Sequence, residues 1–107
     1  MIERAKIITA DFYTSPRRKF DKQVLELTIE LDDYDSAVIM VNGMHLIQAT
    51  YKVFTLKELS EQSSVEEALS ELEGMTIRVD IIDGNIVAMF NHLKKYVIMV
   101  SQGEVVF

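Results

Sequence analysis

From Val24 to Leu31 the chain alternates strictly: Leu25, Leu27, Ile29 and Leu31 fall on one face, and Glu26, Thr28 and Glu30 on the other. A period of two is the mark of a strand with one face on the core and one in water. A weaker alternation over Ala5–Phe12 predicts an earlier strand, broken at Ser15-Pro16, where proline pushes the preceding residue toward an extended or turn conformation. Asp32-Asp33-Tyr34-Asp35 reads as a polar loop and Ser36–Val41 as a short apolar strand. Asn42-Gly43 is a turn dipeptide. His45–Phe54 then predicts a fourth strand, although Leu46, Ile47, Ala49, Tyr51, Val53 and Phe54 do not alternate cleanly.

The pattern next changes period. Thr55-Leu56-Lys57-Glu58 and Ser64-Val65-Glu66-Glu67 both fit the capping box, in which a hydroxyl and a glutamate satisfy free N–H groups at a helix start. Val65, Ala68, Leu69 and Leu72 lie at i, i+3, i+4 and i+7, one apolar helical stripe, and Gly74 suits a left-handed stop. Two short helices are predicted, over 55–61 and 64–73, with the stripe packed on a sheet or plugging a barrel end. Strands at Thr76–Ile82 and Ile86–Phe90 flank Asp83-Gly84, a strong hairpin signal. The five apolar residues Tyr96–Val100 read as a strand covered on both faces, with Val105–Phe107, after Gln102-Gly103, an optional edge strand in addition to the predicted order. The predicted order is ββββ-αα-βββ. It makes 1–107 a single domain of the α+β class: a mostly antiparallel sheet or partly open β-barrel with a short two-helix insert.

Composition narrows the function classes. An apolar fraction of 49% over 107 residues supports a core without staples, and the chain has no cysteine for disulfides, thiolate metal sites or thiol nucleophiles. The first residues carry charge and lack the apolar core of a signal peptide, and no apolar run approaches the ~18 residues that span a bilayer. The expected location is the cytoplasm, with no membrane partner. The net charge of −6 is uneven: residues 1–24 hold six basic and three acidic groups, and residues 25–93 three basic and thirteen acidic. An acidic body argues against duplex DNA as partner, since that binding requires phosphate neutralisation.

Candidate chemistry is sparse. His45 and His92 lack a second ligand at metal spacing, and the cluster Asp32, Asp33 and Asp35 stops short of a calcium loop, so no metal or cofactor is expected. Phosphate-loop and nucleophile-elbow motifs are absent. The protein is read as a non-enzyme. Arg17, Arg18 and Lys19 beside Phe20, with Lys94 and Tyr96, would form the basic and aromatic surface of a single-stranded nucleic-acid-binding barrel, the alternative reading. The apolar Tyr96–Val100 and Val105-Val106-Phe107 segments would suit a homodimer face.

Three segments carry a family likeness: Leu72-Glu73-Gly74-Met75-Thr76-Ile77-Arg78-Val79, then Asp83-Gly84-Asn85-Ile86-Val87-Ala88, then Asn91-His92-Leu93-Lys94-Lys95-Tyr96. This C-terminal third resembles small phage- and prophage-encoded proteins of unknown function, without the glycine-rich loop after their third strand. The resemblance implies a mobile-element accessory protein that occupies the surface of a host protein; it carries no catalytic residue with it. The expected contact surface is acidic, namely Glu58, Glu61, Glu66, Glu67, Glu71 and Glu73, whose carboxylates would imitate nucleic-acid phosphates.

Overall fold

The computed structural model describes residues 1–16, 22–32, 35–93 and 95–107. The chain runs through β1 (Ile2–Ser15), β2 (Lys22–Leu31), β3 (Ser36–Asn42), α1 (Met44–Thr55), a 3-10 turn (Leu59–Glu61), α2 (Val65–Ser70), β4 (Thr76–Ile82), β5 (Asn85–Phe90), β6 (Val97–Ser101) and β7 (Glu104–Val105). The seven strands close into a barrel in the order β1-β2-β3-β7-β6-β5-β4. The α+β class and the barrel are as the sequence predicts. Among the described residues no helix is long and apolar enough to cross a membrane.

The long first strand serves two neighbours. It pairs antiparallel with β2 from Ala5 to Ser15 and with β4 from Ile2 to Lys6. Against β2 its register shifts between Ile7 and Thr9, so Ile8 is the extra residue of a bulge. A bulge bends its strand and exchanges the faces on which odd and even residues lie. Ala5 and Ile7 therefore enter the core before Ile8, and Ala10 and Phe12 pack on it afterwards. That reversal is why the alternation of Ala5–Phe12 is weak in sequence. Strand β2 needs no such correction: Leu25, Leu27 and Ile29 are fully buried.

The main departure is 45–54, which is helix rather than strand. Gly43, with φ 97°, starts α1 instead of turning a hairpin. Ile47, Thr50, Tyr51 and Phe54 are buried at helical spacing, and the helix packs on β2, β3 and β6. The predicted helix 55–61 is correspondingly reduced to the Leu59–Glu61 turn. Thr55 closes α1 rather than opening a helix: its Oγ1 donates to the Tyr51 carbonyl at 2.8 Å, and Leu56 follows in the left-handed region with its N–H on the Lys52 carbonyl. The serine of the second capping box caps as predicted, while α2, Val65–Ser70, is shorter than the predicted 64–73. Ser64 Oγ accepts from the Glu67 N–H at 3.3 Å, α2 packs on β1, and turns carry the chain on to Gly74 at φ 86°.

In the last four strands, Asp83 and Gly84 both take positive φ, the requirement of a two-residue hairpin whose twist suits the strands. Strand β6 is covered on one face only, a correction to the expectation of two: Ile98 and Val100 point inward, and Val97 and Met99 are 40% and 49% exposed. The expected edge strand Val105–Phe107 is instead β7, which closes the barrel through one parallel bridge, Met40 to Glu104.

Among the described residues one buried side-chain group is left without a partner. The Thr50 side chain is fully buried in α1 and its Oγ1 has no hydrogen bond. An unpaired buried hydroxyl costs about 1–3 kcal/mol, and valine has nearly the same shape. Thr50→Val is therefore expected to raise stability by about 1 kcal/mol in guanidinium unfolding; a loss of stability would show that the hydroxyl has a partner in solution.

Candidate functional site

The segment from Leu56 to Gly74 packs on α1 and β1, adds Leu59, Ala68, Leu69 and Leu72 to the barrel's core, and presents the predicted glutamates. Leu59, Ala68, Leu69 and Leu72 face the core, which leaves the intervening positions to solvent. Glu61, Glu66, Glu67, Glu71 and Glu73 are exposed, and Glu58 is half-buried. The structure divides these six by their partners. Lys52 Nζ lies 2.5 Å from Glu58 Oε1, and Lys57 Nζ lies 3.5 Å from Glu71 Oε2. The hydrogen bond and charge of Glu58 hold the Lys52 ammonium above its usual pKa. Glu71 Oε2 also accepts from the Tyr51 hydroxyl at 3.4 Å. Glu61, Glu66, Glu67 and Glu73 form no ion pair among the described residues. Two of the six glutamates, Glu58 and Glu71, are thus held by lysines in or just after α1, and the other four carry unneutralised charge.

Beside the Lys52–Glu58 pair lies an apolar depression of about 360 Å³ lined by Ala49, Lys52, Val53, Leu56, Tyr96 and Phe107. Its outer walls are half exposed: Leu56 50%, Tyr96 52% and Phe107 53%. Leu56 stands out because the left-handed residue that ends a helix leaves its core-facing spiral. Tyr96 is held by the β5–β6 connection, which Asn91 organises. Asn91 Nδ2 donates to the Val53 carbonyl at 3.1 Å, and its Oδ1 accepts from the N–H groups of Leu93 and Lys95 at 3.0 and 3.1 Å. Sequence reasoning placed Tyr96 with the basic alternative; the structure sets it against α1 and next to the acidic insert. Arg17, Arg18, Lys19, Phe20 and Lys94, the rest of that alternative surface, lie outside the described residues.

A second, more polar depression, of about 380 Å³, brings Lys57, Glu71 and His92 together beside Thr55 and Asn91. Its groups already serve the fold. Glu71 accepts from Lys57 and Tyr51, and Thr55 Oγ1 donates to Tyr51 and accepts from the Lys57 N–H at 3.2 Å. Such an arrangement can grip a polar ligand but supplies no nucleophile with its own base. Among the described residues no group of three or more His, Cys, Asp or Glu could hold a metal ion. Asp33 lies outside the described residues, and Asp32 Oδ2 sits 3.8 Å from Arg4 Nε.

The barrel also makes one juxtaposition that sequence reasoning missed. Arg4 of β1 is directly opposite Arg78 of β4, and Arg78 is opposite Phe90 of β5. Two like charges at facing positions repel, and an aromatic neighbour offers the second cation an attractive face. No local signal could have found this pair, because its members meet only when the first strand bends round to the fourth. Compared with protein-family models, with curated proteins and with solved structures, the chain matches none.

Proposed function

We propose that this chain is a non-enzymatic binding module whose partner is a protein with a basic contact surface. The observation that carries this reading is the unneutralised set Glu61, Glu66, Glu67 and Glu73, on the insert that begins at Leu56, one wall of a half-exposed apolar depression shared with α1, Tyr96 and Phe107. Interfaces of this anatomy place an apolar, aromatic centre inside a polar rim, and the aromatic anchors carry most of the binding energy. The rim charges steer the encounter and exclude acidic competitors. A basic groove that ordinarily takes nucleic-acid phosphate is one such surface, and occupying it would suit a phage or prophage accessory protein acting on its host. The outward Val97 and Met99, beside Val106, favour self-association through the same side of the barrel.

The second reading is a single-stranded nucleic-acid-binding barrel. It is favoured by the row Arg4–Arg78–Phe90, which sets cations next to an aromatic on an exposed sheet surface. One experiment separates the two. Affinity capture from host lysate is run with and without nuclease, using the natural chain and Glu61→Lys/Glu66→Lys/Glu67→Lys/Glu73→Lys. The protein-binding reading expects a captured protein that survives nuclease and is lost with the quadruple variant. Capture that vanishes on nuclease treatment supports the second reading, and an unchanged captured set with the variant sinks the acidic surface.

A further inference from the structure

The barrel has a notch between β3 and β5. In the strand order two strands, β7 and β6, stand between them. Both are too short to fill that space. Strand β7 meets β3 only at Met40, whose N–H donates to the Gly103 carbonyl at 2.8 Å, and β6 pairs with β5 only from Ala88 to Phe90. The chain reverses at Gln102-Gly103, both with positive φ, before reaching the other end. Ser36–Val38 of β3 and Asn85–Val87 of β5 are therefore left without a strand neighbour on their facing sides. The space, about 550 Å³, lies at the start of β3, away from the α1 end.

The backbone itself says what would fit. In an antiparallel strand, alternate residues direct their N–H and C=O groups to opposite neighbours. Met40 directs its N–H to β7, and the Leu31 N–H bonds the Asp35 carbonyl across the β2–β3 pair, so the even residues of β3 face away from β2. Val38 and Ser36 thus aim their backbone groups into the notch, where no strand pairs with them among the described residues. Three strand spacings separate β3 from β5, about 14 Å, which leaves room for added strand where two would otherwise lie. Ala37, Ile39, Ile81, Ile86 and Val100 supply an apolar floor. Charge selects the occupant further. The exposed carboxylate of Asp35 lines the notch, and exposed Glu30, Asp83 and Glu104 are next to its lining residues Ser36, Gly84 and Gly103, by strand pairing for the first and along the chain for the other two.

We propose that this notch is a strand-acceptor site for an extended basic peptide, one that alternates β-branched apolar residues with lysine or arginine and adds to the free edge of β3 at Val38. Main-chain hydrogen bonds to Ser36 and Val38 would hold it, its apolar residues would rest on Ala37 and Ile39, and its cations would face Glu30, Asp83 and Glu104. This site is separate from the acidic insert and stands whether or not that surface binds.

The test is an NMR titration of the isotope-labelled full chain with an acetylated, amidated octapeptide alternating lysine and valine. Two controls accompany it: the same peptide with its two central residues changed to proline, and an octapeptide alternating glutamate and valine. The lysine–valine peptide is expected to shift the amides of Ser36, Val38 and Asn85–Val87. At about ten times its Kd it should also slow exchange of the Val38 amide about tenfold. Neither control should do so. Val38→Pro removes the donor at an edge position that makes no bond to β2, so it should abolish the response and keep the fold. Shifts confined to the glutamates of the insert, or an equal response to the proline-containing peptide, would overturn the proposal. The peptide comparison decides the matter on the natural chain even if Val38→Pro fails to fold.

Discussion

Tyr51→Ala is expected to cost about 4 kcal/mol of stability, the largest effect of any single truncation in helix α1. Tyr51 is fully buried and is the largest of the fully buried side chains. Its ring sits in the same cluster as Leu25, Leu27, Val41 and Ile98, so it joins the helix to strands on both sides of the barrel. Removing it loses the transfer energy of the ring and leaves a cavity that the closed barrel cannot collapse to fill. A domain of this size holds roughly 5–15 kcal/mol in total, so the variant should be close to unfolding at room temperature. Tyr51→Phe separates the ring from its hydroxyl. The Tyr51–Glu71 hydrogen bond is long, at 3.4 Å, and Glu71 keeps Lys57, so this change should cost only about 0.5 kcal/mol. Guanidinium unfolding followed by circular dichroism measures both. If Tyr51→Ala lost under about 1.5 kcal/mol, α1 would not be docked as described, because a fully packed aromatic cannot be removed so cheaply.

The same residue shows where the sequence was legible and where it was not. Strand β2 and the Asp83-Gly84 hairpin were readable because each is a local pattern: strict alternation in one, two residues that tolerate positive φ in the other. The Ser64 cap was readable for the same reason. Helix α1 was not. Its segment is rich in residues that favour strands (Ile47, Thr50, Tyr51, Val53 and Phe54), and their burial against β2, β3 and β6 overrides that preference. The consequence extends to the next element: a strand over 45–54 makes Thr55 a helix start, whereas it is a helix end. The parallel contact of Met40 with Glu104 leaves no trace in sequence, because one bridge between distant residues imposes no period.

The site followed the same rule. That the six glutamates lie at the surface could be read from the positions between apolar residues. Their partners could not: Lys52 reaches Glu58 only if α1 is a helix that ends at Leu56. The depression walled by Leu56, Tyr96 and Phe107 assembles three distant segments, and only the closed barrel brings them together. Local periodicity thus exposed the charges, and tertiary closure decided which of them are neutralised.

Asn91→Leu tests the joint that holds this arrangement, and it should destabilise the protein by about 3 kcal/mol. Asn91 directly follows β5 and is only 2% exposed, yet it is polar, so its burial is tolerated through its bonds. Its amide donates to the Val53 carbonyl, and its oxygen accepts from the N–H groups of Leu93 and Lys95. Leucine has a similar volume and would fill the space, so the loss is not one of packing. It comes from stranding one carbonyl and two N–H groups in partly buried surroundings, each at about 1 kcal/mol or more. The effect should also be local before it is global. Amides of Leu93 and Lys95 should exchange faster than those of β2 well below the unfolding midpoint, since the connection opens while the barrel persists. Tyr96 would then swing away from Lys52 and Leu56, and capture of a partner that uses the depression should weaken along with it. Asn91→Leu and Tyr51→Ala both loosen the attachment of α1, so their combined cost should differ from the sum by at least about 0.5 kcal/mol. Strict additivity would mean that the Val53 carbonyl contact and the Tyr51 ring hold the helix independently, and that the β5–β6 connection does not position the apolar wall through α1.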